Sequence, residues 1–310
     1  MLHLIPTAAS RATSTRRCGW RWPEDLFPLG LSGVLMHECS MADSLPPILT
    51  IAGSDCSAGA GIQADLKAIS ALGGYALTAL TSVVSETPGK VSQICLMDAE
   101  FITDQIRVLF EAFPIRAVKT GMLGGVEQVQ AVATTWRELG GKTPLVIDPV
   151  MVATSGGKLL EDEAVQAMKS LLLPQATLIT PNMDEAEVLW GSPVTTREEM
   201  ERCASELAQI YQTSVLVKGG HLQGDSADDV LCMGEAIIWL EAERTPGVQT
   251  HGTGCTYSAS IAACLGLGME LTSAVAEAKA FVSRAIAEHF TWTHGAGIVH
   301  ALNHLHQNPE

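Results

Sequence analysis

The chain has 310 residues, a formal net charge of −15 at pH 7 and a mean hydropathy of +0.21. This acidic balance excludes nucleic acids and anionic membranes as expected partners, because both are polyanions. No apolar run reaches the roughly 18 to 20 residues needed to cross a bilayer. Eight cysteines without a CxxC pair or metal-ligand spacing favour reduced thiols and a cytoplasmic protein.

Residues 1–46 differ from the remainder of the chain and show no helix or strand period. Their arginines and serines are typical of an organelle transit peptide, whereas the internal Met36 and Met41 favour an over-extended start site or a disordered tail. We therefore expect an N-terminal extension over residues 1–46 and a single domain over residues 47–310.

Strands and helices alternate from Ile48 to Lys218. The predicted strands are ILTIAGS, YALTALTSVV, IRAVKTG, PLVIDPVM, ATLITPN and SVLVKGG. The predicted helices are GIQADLKAISALGG, AEFITDQIRVLFEAF, VEQVQAVATTWRELGG, EDEAVQAMKSLLL, MDEAEVLW and REEMERCASELAQIY. This alternation predicts an α/β fold with a mostly parallel sheet covered by helices on both faces.

After Lys218 the pattern changes. DDVLCMG and EAIIWLEAER predict a β-hairpin, and CTYSASIAACLGLG and ELTSAVAEAKAFVSRAIAEHF predict two final helices. His300 and His304 in the tail have the spacing of two metal ligands on a helix, but no third ligand accompanies them.

Polar or glycine-containing segments follow most of the predicted parallel strands, where ligands of open α/β sheets bind. They are GSDCSAGAG, KTG, DPVM, TPNMDE and KGGH. The chain has no GxxxxGK[ST] sequence, and GSDCSAGAG lacks the GxGxxG spacing. Ordinary P-loop and dinucleotide-binding proteins are therefore excluded.

The HGTGC sequence leads directly into an apolar helix. Gly252, Thr253 and Gly254 can direct backbone N–H groups at a phosphoryl oxygen, which predicts an anion hole. Cys255 lies at the helix start, where a thiolate is favoured, and would act as the general base toward a substrate hydroxyl. The alternative is a small packing residue at a helix entry.

Asn182 and Glu185 are one helical turn apart, and Asp148 ends a predicted strand. Carboxylates at strand ends suit Mg²⁺ bound together with nucleotide phosphates. The alternative is that the acidic groups only complement the helix dipole. Lys218 is similarly a candidate phosphate ligand or a solvated lysine.

Six segments together resemble the hydroxymethylpyrimidine/phosphomethylpyrimidine kinases of the ribokinase superfamily, over about residues 47–306. They are LTIAGSDCSAGAGIQADLKAISALGGY, KTGML, VIDPVMVATSGGKLL, LITPNMDEAEVL, VLVKGGHL and THGTGCTYSASIAA. The resemblance implies a three-layer ribokinase-like fold and phosphorylation of an aminopyrimidine alcohol and then its monophosphate, with ATP and Mg²⁺, in thiamine biosynthesis. It also makes a homodimer plausible.

The resemblance implies roles for most of the candidate residues. Gly252, Thr253, Gly254 and Cys255 match the family's anion hole and catalytic thiol. Asn182 and Glu185 match the NxxE element that organises Mg²⁺ and phosphates. Asp65 matches a residue that contacts the pyrimidine, and Gly53 contributes backbone nearby. Asp148 and Lys218 match positions near the nucleotide phosphates.

Glu86 departs from the family pattern, which has a substrate-binding glutamine at this place. A glutamine amide donates and accepts hydrogen bonds, whereas an ionised glutamate only accepts them. Glu86 therefore leaves a second function as an alternative, that of a pyridoxine or pyridoxal kinase, which phosphorylates a related heterocyclic alcohol. A catalytically silent ligand sensor with the same fold is a third alternative.

Overall fold

The computed structural model describes residues 44–151, 160–220, 222, 224–248, 250–294 and 297–305. From Leu45 onward the chain packs as one compact unit. Nearly all of the predicted N-terminal extension lies outside the described residues. Among the described residues, no helix is both long and apolar enough to cross a membrane, and the six cysteines are free thiols.

Nine strands of the described chain form one sheet in the order β3-β2-β1-β4-β5-β6-β7-β8-β9. Six neighbouring strands, from β2 to β7 in this order, are parallel, and the strands at both ends are antiparallel. The strands are β1 (Pro47–Asp55), β2 (Tyr75–Thr87), β3 (Lys90–Leu96), β4 (Ala117–Thr120), β5 (Leu145–Ile147), β6 (Leu178–Ile179), β7 (Ser214–Val217), β8 (Asp229–Met233) and β9 (Ala236–Leu240).

Eight α-helices of the described chain connect and cover these strands. They are α1 (Gly61–Ala71), α2 (Ala99–Ala112), α3 (Val126–Leu139), α4 (Asp162–Ala167), α5 (Met183–Trp190), α6 (Arg197–Tyr211), α7 (Thr253–Gly266) and α8 (Leu271–Ala287). A π-helical turn (Met168–Leu172) and a 3-10 turn (Leu173–Gln175) extend α4.

The central strands are buried on both faces, which explains their continuous apolar sequences. Along β5, Leu145 and Ile147 join the core under α2–α6, whereas Val146 joins the core under α1, α7 and α8. Because successive side chains of a strand point to opposite faces, one short apolar run supplies both cores. The predicted three-layer α/β/α architecture is confirmed.

Two β-structures were not predicted. The edge strand β3 is largely exposed. Its sequence shows no alternation of apolar and polar residues, so no strand could be predicted from it. The segments β10 (Phe290–His294) and β11 (Gly297–Ala301) form an antiparallel hairpin. The sequence predicts a last helix that extends to Phe290, but α8 ends at Ala287.

Candidate active site

The first turn of α7 lies at the edge of the sheet where the parallel strands end. Gly252 precedes the helix with a φ of +81°, a conformation that glycine adopts without strain. A Cβ atom there would lie 1.8 Å from Gly59 O, so this turn packs directly on the loop after β1. The first N–H groups of a helix have no intrahelical acceptor, and together with the helix dipole they favour an anion.

Gly254 brings the start of α7 against two further strand ends. A Cβ atom at this position would lie 3.0 Å from Lys218 Nζ and 3.6 Å from Asp148 Oδ2. Lys218 directly follows β7 and Asp148 directly follows β5. The structure therefore brings three predicted site residues from distant parts of the sequence into one place. Thr253 begins the helix, and its Oγ1 lies 2.8 Å from Thr250 Oγ1.

Asp148 is buried and accepts hydrogen bonds from three side chains. Lys218 Nζ donates to its Oδ1 over 2.7 Å, Ser258 Oγ donates to its Oδ2 over 3.3 Å, and Thr180 Oγ1 donates to Oδ1 over 3.3 Å. Burial alone would lower the pKa of Lys218, but the charges of Asp148 and Glu185 outweigh it and raise that pKa. Lys218 is thus a cation paired at the site, and the alternative of a solvated lysine is wrong.

Asn182 and Glu185 form a capping box at the start of α5. Asn182 Oδ1 accepts from Glu185 N, and Glu185 Oε2 accepts from Asn182 N, each over 2.9 Å. Both residues therefore have a structural role as a capping box, whereas the alternative that the sequence left open was only that the acidic groups complement the helix dipole. Burial raises the pKa of Glu185 to about 7, with the Lys218 charge opposing this shift. The capping role does not remove Glu185 from the site, because Lys218 and Asp148 act on it electrostatically.

Cys255 lies in the first turn of α7, as predicted, but its thiol is not a thiolate. Burial raises its pKa to about 11, because the opposing charge of Lys119 is outweighed by burial and by the carboxylates of Asp65 and Asp148. The prediction that the helix start favours the thiolate is therefore wrong for the protein without ligands. The helix dipole, a modest effect, is smaller here than desolvation.

Asp65 is fully buried and pairs with a lysine that the sequence analysis did not single out. Lys119 Nζ donates to Asp65 Oδ2 over 2.8 Å and to Oδ1 over 3.0 Å, and Thr50 Oγ1 donates to Oδ2 over 2.5 Å. Neither charged side chain has exposed surface. Asp65 extends from α1 to these residues of β1 and β4, and its predicted contact with the pyrimidine stays a prediction. A lysine within the buried strand AVKT was the signal for this pair, since a buried charge needs a partner.

Gly53 lies in β1 at an irregularity of the sheet. Ala52 pairs with Leu80 and Ser54 with Val83, so the register shifts at Gly53. A Cβ atom at Gly53 would lie 2.6 Å from Ser82 Oγ. The predicted backbone contribution of Gly53 to substrate binding stays a prediction.

Glu86 belongs to an acid–imidazole–acid cluster that the sequence analysis did not foresee. His251 Nε2 lies 3.3 Å from Asp55 Oδ2 and 3.8 Å from Glu86 Oε2. Burial lowers the pKa of His251, but the contact with Asp55 and the charge of Glu86 outweigh it and raise that pKa. Since His251 directly precedes Gly252, this cluster borders the predicted anion hole.

Asp55 is the fixed member of this cluster. Its Oδ2 accepts hydrogen bonds from the N–H groups of Gly59 and Ala60, and its Oδ1 accepts from Ser57 N. Burial would raise the pKa of Asp55, but His251 and these donors hold it well below its usual range. The backbone N–H groups of the loop after β1 therefore converge on the ionised carboxylate of Asp55.

The two histidines of the tail do not form a metal site. His300 lies in strand β11, where its Nδ1 bonds Thr291 Oγ1 over 3.1 Å. His304 Nε2 bonds the buried Thr256 Oγ1 over 2.9 Å, and burial lowers the pKa of His304 to about 4. The two histidines do not lie on one helix, because the segment is a β-hairpin followed by an irregular tail. Their spacing in the sequence therefore does not make them a pair of metal ligands.

Residues 55–300 match the family model described as phosphomethylpyrimidine kinase. The chain belongs to the phosphomethylpyrimidine kinase family. A hydroxymethylpyrimidine/phosphomethylpyrimidine kinase of Rhizobium meliloti is 42% identical over 262 residues, which cover 84% of this chain and 97% of that protein. The predicted family and the phosphotransferase class are confirmed.

Two solved structures of the family's relatives have the same fold. The ADP complex of Bacillus subtilis pyridoxal kinase has a TM-score of 0.77 at 38% identity, and the match covers 84% of this chain and 98% of that chain. The phosphomethylpyrimidine kinase of Clostridium difficile has a TM-score of 0.69 at 38% identity, over 77% of this chain and 99% of that chain. The predicted ribokinase-like fold is confirmed.

Proposed function

We propose that the protein transfers the γ-phosphoryl group of ATP to the hydroxymethyl group of 4-amino-5-hydroxymethyl-2-methylpyrimidine, and then phosphorylates the monophosphate to the diphosphate in thiamine biosynthesis. The observation that carries this proposal is the contact of Gly254 with Lys218 and Asp148. It supports the proposal because the first turn of α7, the Lys218 cation and the Asp148 carboxylate meet at one edge of the sheet. These are the groups that phosphoryl transfer requires.

The anion hole would stabilise the phosphoryl group as charge spreads over its oxygens. Backbone N–H groups of Gly252, Thr253, Gly254 and Cys255 come from one helix turn, so their positions are fixed before the substrate binds. Lys218 adds a charge that is held in place by Asp148 over 2.7 Å. Pre-positioned donors of this kind contribute most to catalysis of phosphoryl transfer, and losing one donor costs about 10² to 10³ in kcat in other enzymes.

Mg²⁺ fits the carboxylates beside Lys218. Buried Glu185 has a pKa of about 7, so a nearby cation would stabilise its ionised form. The oxygens of Asp148 and Glu185 already accept protein hydrogen bonds, which suits an ion that keeps most of its waters. When bound with the nucleotide, Mg²⁺ would neutralise phosphate charge, and Asp148 and Glu185 would hold it.

We assign Cys255 as the group that accepts the proton of the substrate hydroxyl. With a pKa near 11 the thiol holds its proton in the unliganded site. Asp148 is one cause of that high pKa, so a cation bound at Asp148 would lower it as the nucleotide arrives. In the complete complex Cys255 would first release its own proton to solvent and would then, as the thiolate, accept the proton of the substrate hydroxyl, which limits wasteful hydrolysis.

The nucleotide base would occupy a groove of about 850 Å³ between α8 and the segment after β9. Lys279 of α8 donates to Asp229 Oδ2 over 2.6 Å, and Asp229 Oδ1 accepts from Gly219 N over 2.9 Å. This network links the groove to Lys218, the neighbour of Gly219. ATP lying along it would bring its phosphates to the start of α7.

A kinase assay over a panel of heterocyclic alcohols tests the proposed substrate. We expect ADP release with the aminopyrimidine alcohol and its monophosphate at a higher kcat/KM than with pyridoxal or pyridoxine. Pyridoxal kinase is the second candidate because two relatives with that name have TM-scores of 0.77 and 0.75. A clear preference for pyridoxal would overturn the first assignment, and no ADP release with any alcohol would favour a silent sensor.

A further inference from the structure

Glu86 is held at the border of the anion hole by its backbone. The register of β2 with β3 shifts between Ser85 and Glu86, and such irregularities re-aim side chains next to functional sites. Cys56 fixes the same residue from the loop after β1: its Sγ donates to Glu86 O over 3.2 Å and accepts from Glu86 N over 3.3 Å. The Glu86 side chain therefore has a defined direction, toward His251.

The Glu86 carboxylate is half-buried and has no protein hydrogen-bond donor among the described residues. Only 13% of its side chain is exposed, and its Oε2 lies 3.8 Å from His251 Nε2, beyond hydrogen-bond distance. In the described part of the chain, no hydrogen bond to this carboxylate is found. By contrast, Asp55 accepts several bonds from its own loop. Glu86 is thus the member of the cluster with oxygens free to bind a ligand.

The charges that face Glu86 are those of Asp55, on the loop after β1, and His251, on the segment before α7. Burial raises the pKa of Glu86, the Asp55 charge raises it further, and the His251 charge opposes both. The net shift is upward, so protonation of this carboxyl is easier than for an exposed glutamate. Desolvation by a bound ring would act in the same direction.

An aminopyrimidine presents an N–H donor beside a ring nitrogen that accepts. An ionised carboxylate satisfies the N–H group but places its second oxygen against the lone pair of the ring nitrogen. One added proton removes this conflict. A protonated carboxyl then donates to the ring nitrogen, or a protonated ring donates two parallel N–H groups to the carboxylate. Both arrangements contain the same number of protons.

We propose that Glu86 determines specificity by binding the aminopyrimidine together with one added proton, which the carboxyl and the ring nitrogen share. This inference rests on the proposed function, because the aminopyrimidine is the ligand. It predicts that binding takes up one proton when both free partners are deprotonated. In that range KM for the pyrimidine rises up to about tenfold per pH unit, as proton linkage requires.

Glu86→Gln is the matched test, because an amide donates and accepts without an added proton. Asp55 and His251 remain in this variant, so any pH dependence that they cause persists. We expect KM of Glu86→Gln for the pyrimidine to vary far less between pH 7.5 and pH 9 than that of the wild type, with KM for ATP unchanged. Glu100→Gln, the same change at an exposed site on α2, serves as the control and should follow the wild type.

Calorimetry measures the proton directly. The aminopyrimidine alcohol is titrated at pH 8.5 into protein carrying a non-hydrolysable ATP analogue, in buffers that differ in ionisation enthalpy. We expect an uptake near one proton for the wild type and near zero for Glu86→Gln. Wild-type uptake near zero, with normal phosphorylation of the aminopyrimidine, would overturn the inference and leave the proposed function standing. Phosphorylation of pyridoxal but not of the aminopyrimidine would overturn both.

Discussion

Lys218 Nζ and Asp148 Oδ1 are 2.7 Å apart although the two residues are separated by 70 positions in the sequence. They follow β7 and β5, two strands that have β6 between them. This ion pair therefore lies at the edge of the sheet beside the end of β6. Gly254, at the start of α7, packs against it. The partners of this pair are 12% and 2% exposed, so each charge depends on the other for solvation.

Lys218→Met should lower the free energy of unfolding by about 3 kcal/mol, because it leaves the buried Asp148 charge unpaired. Urea denaturation measures this change. The double variant Lys218→Met with Asp148→Asn should lose clearly less than the sum of the single variants. Lys90→Met, at an exposed lysine, should change stability by less than about 0.5 kcal/mol. Additive losses would show that the two side chains do not interact.

Gly252→Ala should impair both stability and turnover. A methyl group there meets Gly59 O at 1.8 Å in a backbone with a φ of +81°, so the turn that carries the proposed anion hole must move. Gly268→Ala is the matched control, because Gly268 has a φ of +90° but open space around it. The control should lose only about 1 kcal/mol of stability and retain kcat. Equal kcat values for the two variants would contradict the assigned role of this turn.

Cys255→Ala should reduce kcat by at least about 10², the usual contribution of a positioned acid–base group, while nucleotide binding persists. Retention of near-wild-type kcat would remove the thiol from the mechanism. An independent readout is alkylation followed by peptide mass spectrometry. Because the Cys255 pKa is about 11, its alkylation should be slow at pH 7.5 and should accelerate with rising pH. The exposed Cys56 and Cys95 should be labelled first.

The alternating core of this fold could be predicted from the sequence because burial on both faces leaves uninterrupted apolar strands. Runs such as LVI in β5 and SVLV in β7 end in the polar groups that form the site, so Asp148 and Lys218 could also be predicted. The exposed strands β3, β10 and β11 could not, since their side chains mostly face solvent. Without a buried face, a strand has no period to detect.

The second feature that could not be predicted from the sequence is the pairing of residues that lie far apart in it. The family resemblance predicts that Asp65 contacts the substrate, but only the structure shows that Lys119, 54 residues away in the sequence, binds its carboxylate. The cluster of Asp55, Glu86 and His251 similarly joins three separate segments. A sequence motif identifies the residue types of a site, whereas the protonation of each group depends on neighbours that only the fold supplies. The pKa of Cys255 is the clearest case, because burial reverses the effect expected from its helix position.

Glu185→Gln should stabilise the ligand-free protein at alkaline pH. The folded protein raises the Glu185 pKa from 4.5 to about 7, so it binds this proton more tightly than the unfolded chain does. The stability that the proton provides is therefore lost as the pH rises from about 4.5 through 7. Between pH 5.5 and pH 8.5 the wild type should lose about 2 kcal/mol relative to Glu185→Gln. The amide keeps an acceptor for the capping box.

Urea denaturation at the two pH values measures this difference. Glu187→Gln, on the exposed side of the same helix, should show a constant difference from the wild type. Mg²⁺ with a nucleotide should reduce the wild type's loss, because a cation beside Asp148 and Glu185 stabilises the ionised carboxylate. It should not do so in Glu185→Gln, which has no charge to neutralise. A wild-type profile parallel to that of Glu185→Gln would mean that the Glu185 carboxyl titrates normally and needs no cation beside it.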